Sequence, residues 1–296
     1  MSTNWNIRGK TVLVTGGTAG IGYETARGLA ALGANVIVVG RNATRGESAV
    51  ARMKQQTGNE ACTFVQANLS EMAEVRRLAA YISTHYPQLQ VLVNNVGARY
   101  VQREETAEGI EATLATTHLS PFLLTNLLLP VLEKNAPARI VNVSSYTHRS
   151  AQINLDDLQS KNSYEDLRAY AQAKLANLLT TYELARRLKD TNIHINIADP
   201  LGATDTAMAR QSIGTKRLRD RLKILILSQI HTSKRAAKSS IYLASSPDVE
   251  HFTGKYVNFR CRIVASSPAS YNKDMARKVW DMSVELTGLA EKKVSH

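Results

Sequence analysis

Short runs of aliphatic and β-branched residues alternate along the chain with stretches whose apolar positions recur at helical spacing. The order is "TVLVTGG" then a helix over 23–32, "NVIVVGR" then 47–56, and "CTFVQANL" then 71–86. It continues with "VLVNNVG" and the apolar stretch 114–130, "RIVNVSS" and a helix over 165–189, "IHINIADP" and a helix over 234–245, then "GKYVNF" and a helix over 273–286. Nearly continuous apolar strands separated by helices are what a parallel sheet covered on both faces requires. The pattern therefore predicts a doubly wound α/β fold with seven strands. No repeat, low-complexity segment or linker interrupts it, so residues 1–296 read as a single domain.

One stretch breaks its own pattern. "LATTHLSPFLLTNLLLP" reads as one apolar helix with Pro121 in its middle. A proline inside a helix removes one backbone hydrogen bond and costs about 3 kcal/mol. The carbonyl of Thr117 would accept from residue 121, so the sequence predicts a kink there that frees this carbonyl.

Composition narrows the function classes. A hydrophobic share of 44% with 21% charged residues suits a soluble globular protein, and no run approaches the ~18 uninterrupted apolar residues of a membrane span. The N-terminus has no signal-peptide core ahead of the first strand, so the expectation is a cytoplasmic protein. Cys62 and Cys261 stand far apart, predicting reduced thiols and no metal site. The formal charge is +12, but basic residues are interspersed with acidic ones and no nucleic-acid motif is present, so no nucleic-acid partner is expected. "TKRLRDRLKILIL", from Thr215 to Leu227, is the exception: a basic half joined to an apolar half.

Three places carry chemistry. "TGGTAGIG", Thr15 to Gly22, follows the first strand and opens a helix, where glycines permit a tight turn and close approach to a pyrophosphate. The second strand ends in Gly40 and Arg41, without the carboxylate that suits a free ribose; a guanidinium suits a 2′-phosphate. Tyr170 and Lys174 share a helix face, an arrangement in which an ammonium lowers a phenol's pKa for proton transfer, and Ser145 ends the fifth strand. His118, His148 and His194 lack ligand partners and are read as structural, and Tyr164 as rim or surface.

"TGGTAGIG", "NNVG", "RIVNVSS" and "YAQAK" stand in the order seen in the short-chain dehydrogenase/reductases, which the chain resembles over nearly its whole length. "RIVNVSSYTH", "INLDDL" and "AYAQAKLANLLTTYELARRL" make it most similar to the retinol-dehydrogenase-like branch. The resemblance implies a Rossmann fold and an NADP(H)-dependent ketoreductase that moves a hydride between nicotinamide and a carbonyl or alcohol carbon of a lipophilic small molecule. Tyr170 would be the general acid/base, Lys174 would lower its pKa and hold the nicotinamide ribose, and Ser145 would polarise the carbonyl. Gly16, Thr18, Gly20 and Ile21 would line the pyrophosphate turn, Asn68 and Leu69 would lie near the adenine, and Asn95 and Gly97 beside the cofactor. Pro200, Gly202 and Thr206 are matched to the carboxamide contacts, although "DPLGATDTAM" carries an extra residue there.

Thr117 stands where the family has asparagine; a backbone relay through its carbonyl needs the kink more than it needs the amide. The alternative reading is a member recruited to non-redox chemistry, such as a cyclase or dehydratase, or a cofactor-binding scaffold. Substrate choice is expected from a lid at about 207–232 and from the insertion 146–168. The chain shows no N-terminal anchor like that of membrane-bound retinol dehydrogenases, which argues against retinol itself. A homodimer or homotetramer is what the family implies.

Overall fold

The computed structural model describes residues 5–200 and 232–290. Seven strands form one parallel sheet: β1 (Thr11–Thr15), β2 (Asn35–Gly40), β3 (Cys62–Gln66), β4 (Leu89–Asn94), β5 (Ala138–Val143), β6 (Ile193–Ala198) and β7 (Tyr256–Val257). Their spatial order, β3-β2-β1-β4-β5-β6-β7, reverses direction between β1 and β4. Ligands of open α/β sheets bind at the strand ends beside such a reversal.

Helices cover both faces. They are α1 (Gly20–Ala31), α2 (Ala43–Thr57), α3 (Met72–His85), α4 (Ala112–Leu114), α5 (Ser120–Lys134), α6 (Asp166–Arg187), α7 (Ser233–Ala236), α8 (Lys238–Ser245) and α9 (Lys273–Thr287). The strands are apolar on both sides, yet the two sides differ. Val12, Val14, Val36, Val38, Val91 and Val93 join the core under α1, α2 and α8. Leu13, Ile37, Leu92, Ile140 and Ile195 join the larger core under α3, α5 and α6. Alternation at period two thus survives as a choice between β-branched valine and the bulkier leucine or isoleucine.

Local chemistry sets the element ends. Asn42 accepts from the Arg45 amide at 2.8 Å and starts α2 earlier than the apolar pattern predicts. The buried Glu111 carboxylate accepts from the Thr113 and Leu114 amides, both at 2.7 Å, and starts α4. The seventh strand is shorter than "GKYVNF" predicts. Asn258 accepts the amides of Arg260 and Arg262, and the chain turns back so that Val257 bridges Ile263 antiparallel.

The proline in the apolar helix produces a widened turn. Residues Ala115–Leu119 form one turn of π-helix, closed by the Ser120 amide on the Ala115 carbonyl, and Pro121 sits in the first turn of α5. The helix then continues through Pro130 to Lys134, past the end expected from sequence. Ala112–Lys134 is long and apolar enough by composition to cross a membrane, but 72% of its most apolar window is buried inside the protein. Packing against α3 and the sheet accounts for that apolarity.

The Gly-rich turn is held by close packing. Gly16 and Gly20 have positive φ, +64° and +55°, where side chains are strained. Gly22 has no such angle, but a Cβ there would collide with the Gly16 carbonyl and the Asn95 amide. Gly22→Ala therefore has to push the turn off β4. It is expected to cost about 1–3 kcal/mol, the usual overpacking range. Thermal unfolding followed by circular dichroism checks this, and an unchanged melting temperature would show that the turn has slack.

Candidate active site

Where β1 and β4 diverge, the turn after β1 opens onto a cleft of about 210 Å³. Gly16, Thr18, Arg41, Asn68, Leu69 and Gly97, all expected from sequence, line it. Arg45, Asn42, Ser70, Tyr100 and Thr116 line it too and were not anticipated. Arg45 had a signal: it follows Arg41 by four residues, just inside a helix start marked by Asn42. No carboxylate is among these lining residues.

Asn95 acts on the turn. Its backbone amide donates to Thr15 Oγ1 at 3.0 Å, and its side-chain amide donates to the carbonyls of Thr15 at 3.1 Å and Gly16 at 3.3 Å. It pins the glycine turn to the end of β4. Gly20 and Ile21 lie in the first turn of α1, directly after that turn. Pro200 is buried beyond β6, whereas Gly202, Thr206 and the expected lid lie outside the described residues, apart from Thr232 at its end.

Ser145, Tyr170 and Lys174 come together at the C-terminal ends of β4 and β5. Ser145 Oγ accepts from the Thr147 amide at 3.4 Å and the Thr147 hydroxyl at 3.1 Å, which leaves its own proton to be donated. Tyr170, on α6, lies close enough to Ser145 for the serine hydroxyl to favour its phenolate. Lys174 Nζ donates to the Val143 carbonyl at 2.9 Å and lies 5.8 Å from the Tyr170 ring centroid. A Cβ on Gly97 would stand 3.5 Å from that ammonium, so the glycine keeps the approach to Lys174 open.

The pKa balance differs from the sequence expectation. Burial pushes the Tyr170 phenol up to about 12, against the Ser145 hydrogen bond and the Arg99 charge, which both lower it. Burial also pulls the Lys174 ammonium down to about 8. A lysine four residues on is thus insufficient to bring the tyrosine near neutral in the free protein, because desolvation opposes charge on both groups.

Two histidines set aside in the sequence hold the site in shape. His148 is fully buried; its Nδ1 donates to the Ser145 carbonyl and its Nε2 accepts the Ser267 amide at 3.2 Å, which fixes one neutral tautomer and the backbone of Ser145. His118, held neutral by burial at about 4, lies 3.0 Å through Nδ1 from Asn177 Oδ1. The Asn177 amide in turn donates to the Thr117 carbonyl at 2.7 Å. The carbonyl that Pro121 frees is therefore taken by a side chain one turn beyond Lys174. Thr117 also uses its hydroxyl, donating to the Ala98 carbonyl at 2.9 Å and accepting the Ala98 amide at 3.1 Å. Backbone alone does not describe its role, because the side chain anchors the loop after β4. Tyr164 is a tie as well, donating to the Tyr100 carbonyl at 2.6 Å.

Known proteins resemble this chain in sequence and fold. The family model described as short chain dehydrogenase matches residues 10–217. Retinol dehydrogenase 14 of Mus musculus is 36% identical over 96% of this chain and 87% of its own length. Polyprenol dehydrogenase of Homo sapiens is 37% identical over 95% of this chain and 86% of its own. Among solved structures, the RhlG/NADP active-site complex of Pseudomonas aeruginosa superposes with a TM-score of 0.69 at 26% identity, covering 87% of this chain and 97% of that one. With the glycine turn, Ser145, Tyr170 and Lys174 gathered at the sheet's switch point, the chain belongs to the short-chain dehydrogenase family and is an oxidoreductase of alcohol and carbonyl groups.

Proposed function

We propose that the protein is an NADP(H)-dependent ketoreductase or alcohol dehydrogenase for a lipophilic small molecule. The observation that carries the cofactor choice is the pair Arg41 and Arg45 on the cleft wall, with no carboxylate among its described lining residues. Two guanidiniums match a 2′-phosphate, which charge-assisted hydrogen bonds hold roughly twice as strongly as neutral ones. The open turn at Gly16 and the free approach to Lys174 past Gly97 fit a dinucleotide lying from the arginines to the tyrosine. Bound there, the nicotinamide supplies or accepts the hydride.

The chain's own residues handle the proton. In reduction, the Tyr170 hydroxyl gives its proton to the substrate oxygen while the carbonyl carbon receives the hydride, and the Ser145 proton, left over by Thr147, hydrogen-bonds to the same oxygen. Oxidation of an alcohol runs the same transfers in reverse. Lys174 sits one turn on to restore the proton, and the Asn177 amide one turn beyond it holds the Thr117 carbonyl at 2.7 Å.

The lipophilic substrate is supported from two sides. The named relatives are a retinol and a polyprenol dehydrogenase. In this chain, two of the exposed large apolar residues stand beside site residues in sequence: Tyr146 next to Ser145 and Val101 next to Tyr100.

Purified protein mixed with NADPH and a panel of apolar aldehydes and ketones is expected to consume NADPH, followed by its absorbance. Tyr170→Phe is expected to lower that rate by about 10²–10⁴ with NADPH binding intact, the usual share of acid/base catalysis. Retention of the rate by this variant would contradict the assignment. Arg41→Ala and Arg45→Ala are each expected to raise the NADPH KM while leaving the NADH KM nearly unchanged. A wild type that uses NADH equally well would contradict the 2′-phosphate assignment.

Asn177→Ala removes the hold on the Thr117 carbonyl and is expected to lower kcat several-fold, with little change in the NADPH KM. Steady-state kinetics on both substrates checks the split, and a KM effect alone would place Asn177 in cofactor packing.

A further inference from the structure

Arg99 is an unusual residue to find in the wall of a proton-transfer site. It follows Gly97 by two positions in the loop after β4, the loop that Thr117 anchors at Ala98. Its side chain is only 8% exposed. Its Nε lies 3.4 Å from Oδ2 of Asp166, whose side chain is 25% exposed. Asp166 opens α6 and is four residues before Tyr170, so Asp166, Tyr170 and Lys174 succeed one another along one helix face. The guanidinium therefore reaches the first turn of that face, while the Lys174 ammonium at the other end is turned to the Val143 carbonyl.

The two cations respond differently to the interior. Burial pulls the lysine toward neutrality, whereas a guanidinium keeps its charge in proteins. Among the described residues, the following titratable groups on the elements around Tyr170 are neutral or engaged. His148 and His118 are held uncharged by burial, and Arg149 donates to the Ala265 carbonyl at 2.7 Å. The Tyr271 hydroxyl accepts the Ser266 amide at 3.0 Å, and Glu111 is committed to the start of α4. Among the described residues, the Ser145 hydroxyl and Arg99 favour the ionised form of Tyr170.

We propose that Arg99 is a second cation for the Tyr170 proton: a positioning residue, clamped by Asp166, that supplies from the β4 side the fixed positive charge favouring the phenolate. The proposal rests on Tyr170 being the proton-transfer group. It gives the Arg99–Asp166 pair a purpose beyond tying a loop to a helix. The carboxylate fixes the guanidinium where its charge is felt by the phenol one turn on.

The test reads the ionisation of residue 170 without turnover. A difluorotyrosine incorporated at position 170 lowers the intrinsic phenol pKa into the range where the protein stays folded, and fluorine NMR follows its titration in the full chain. Arg99→Gln is expected to move the midpoint up by about 1 pH unit or more, the range for an opposite charge nearby. Arg99→Lys is expected to recover most of that shift, and Asp166→Asn part of the way toward Gln. A Gln variant that titrates like the parent overturns the proposal, as does a Lys variant that titrates like Gln, because charge would then not be what matters. With NADP(H) and a substrate from the aldehyde panel, the high-pH limb of kcat is expected to follow the same order. If Tyr170→Phe keeps its turnover while the NMR shifts hold, the proton-transfer reading fails and the electrostatic finding stands.

Discussion

Desolvation of Tyr170 is the constraint around which the site is arranged. In the proposed reaction this phenol gives and takes a proton, yet the burial that excludes water from it also raises its pKa to about 12. Every polar group around it bears on that conflict. Ser145 has its lone pairs occupied by Thr147 and so presents a proton, His148 fixes the backbone that carries Ser145, and Arg99 adds a charge that burial does not remove. Lys174, buried itself, is weaker help in the free protein than its spacing suggests.

A second requirement, open space for a dinucleotide next to that phenol, is met by backbone. The β1 turn passes so close to β4 that Gly22 leaves no room for a side chain, and the Asn95 amide bridges the two. The π turn at Ala115–Leu119 widens the helix opposite, with Pro121 unable to close the 117 carbonyl and Asn177 closing it from α6. One unpaired carbonyl is thereby converted into a link between the helix after β4 and the helix that carries Tyr170 and Lys174.

Much of this was legible in the sequence, and the parts that were not share a physical cause. The seven strands and their helices followed from apolar periodicity, because a sheet covered on both faces has to be apolar throughout. The placement of the glycine turn and Arg41 at the cleft, and of Tyr170 and Lys174 on one helix face, was legible because their spacing is local. Arg45 was missed although Asn42 marked the helix start that brings it to the cleft. Asn177, His118, His148 and Arg99 were missed or set aside because their roles depend on contacts across elements, 59 residues apart for His118 and Asn177. The sign of the Tyr170 shift was misjudged for the same reason: spacing shows which charge is near, but burial, which decided the outcome, is a property of the fold.

The most direct measurement is a crystal structure of the protein grown with NADP+. The account predicts density along the cleft, with the 2′-phosphate between Arg41 and Arg45, the pyrophosphate on the Gly16 turn and the nicotinamide end beside Tyr170 and Lys174. A cofactor bound with its phosphate turned away from both arginines, or a cleft that stays empty at saturating NADP+, would contradict it.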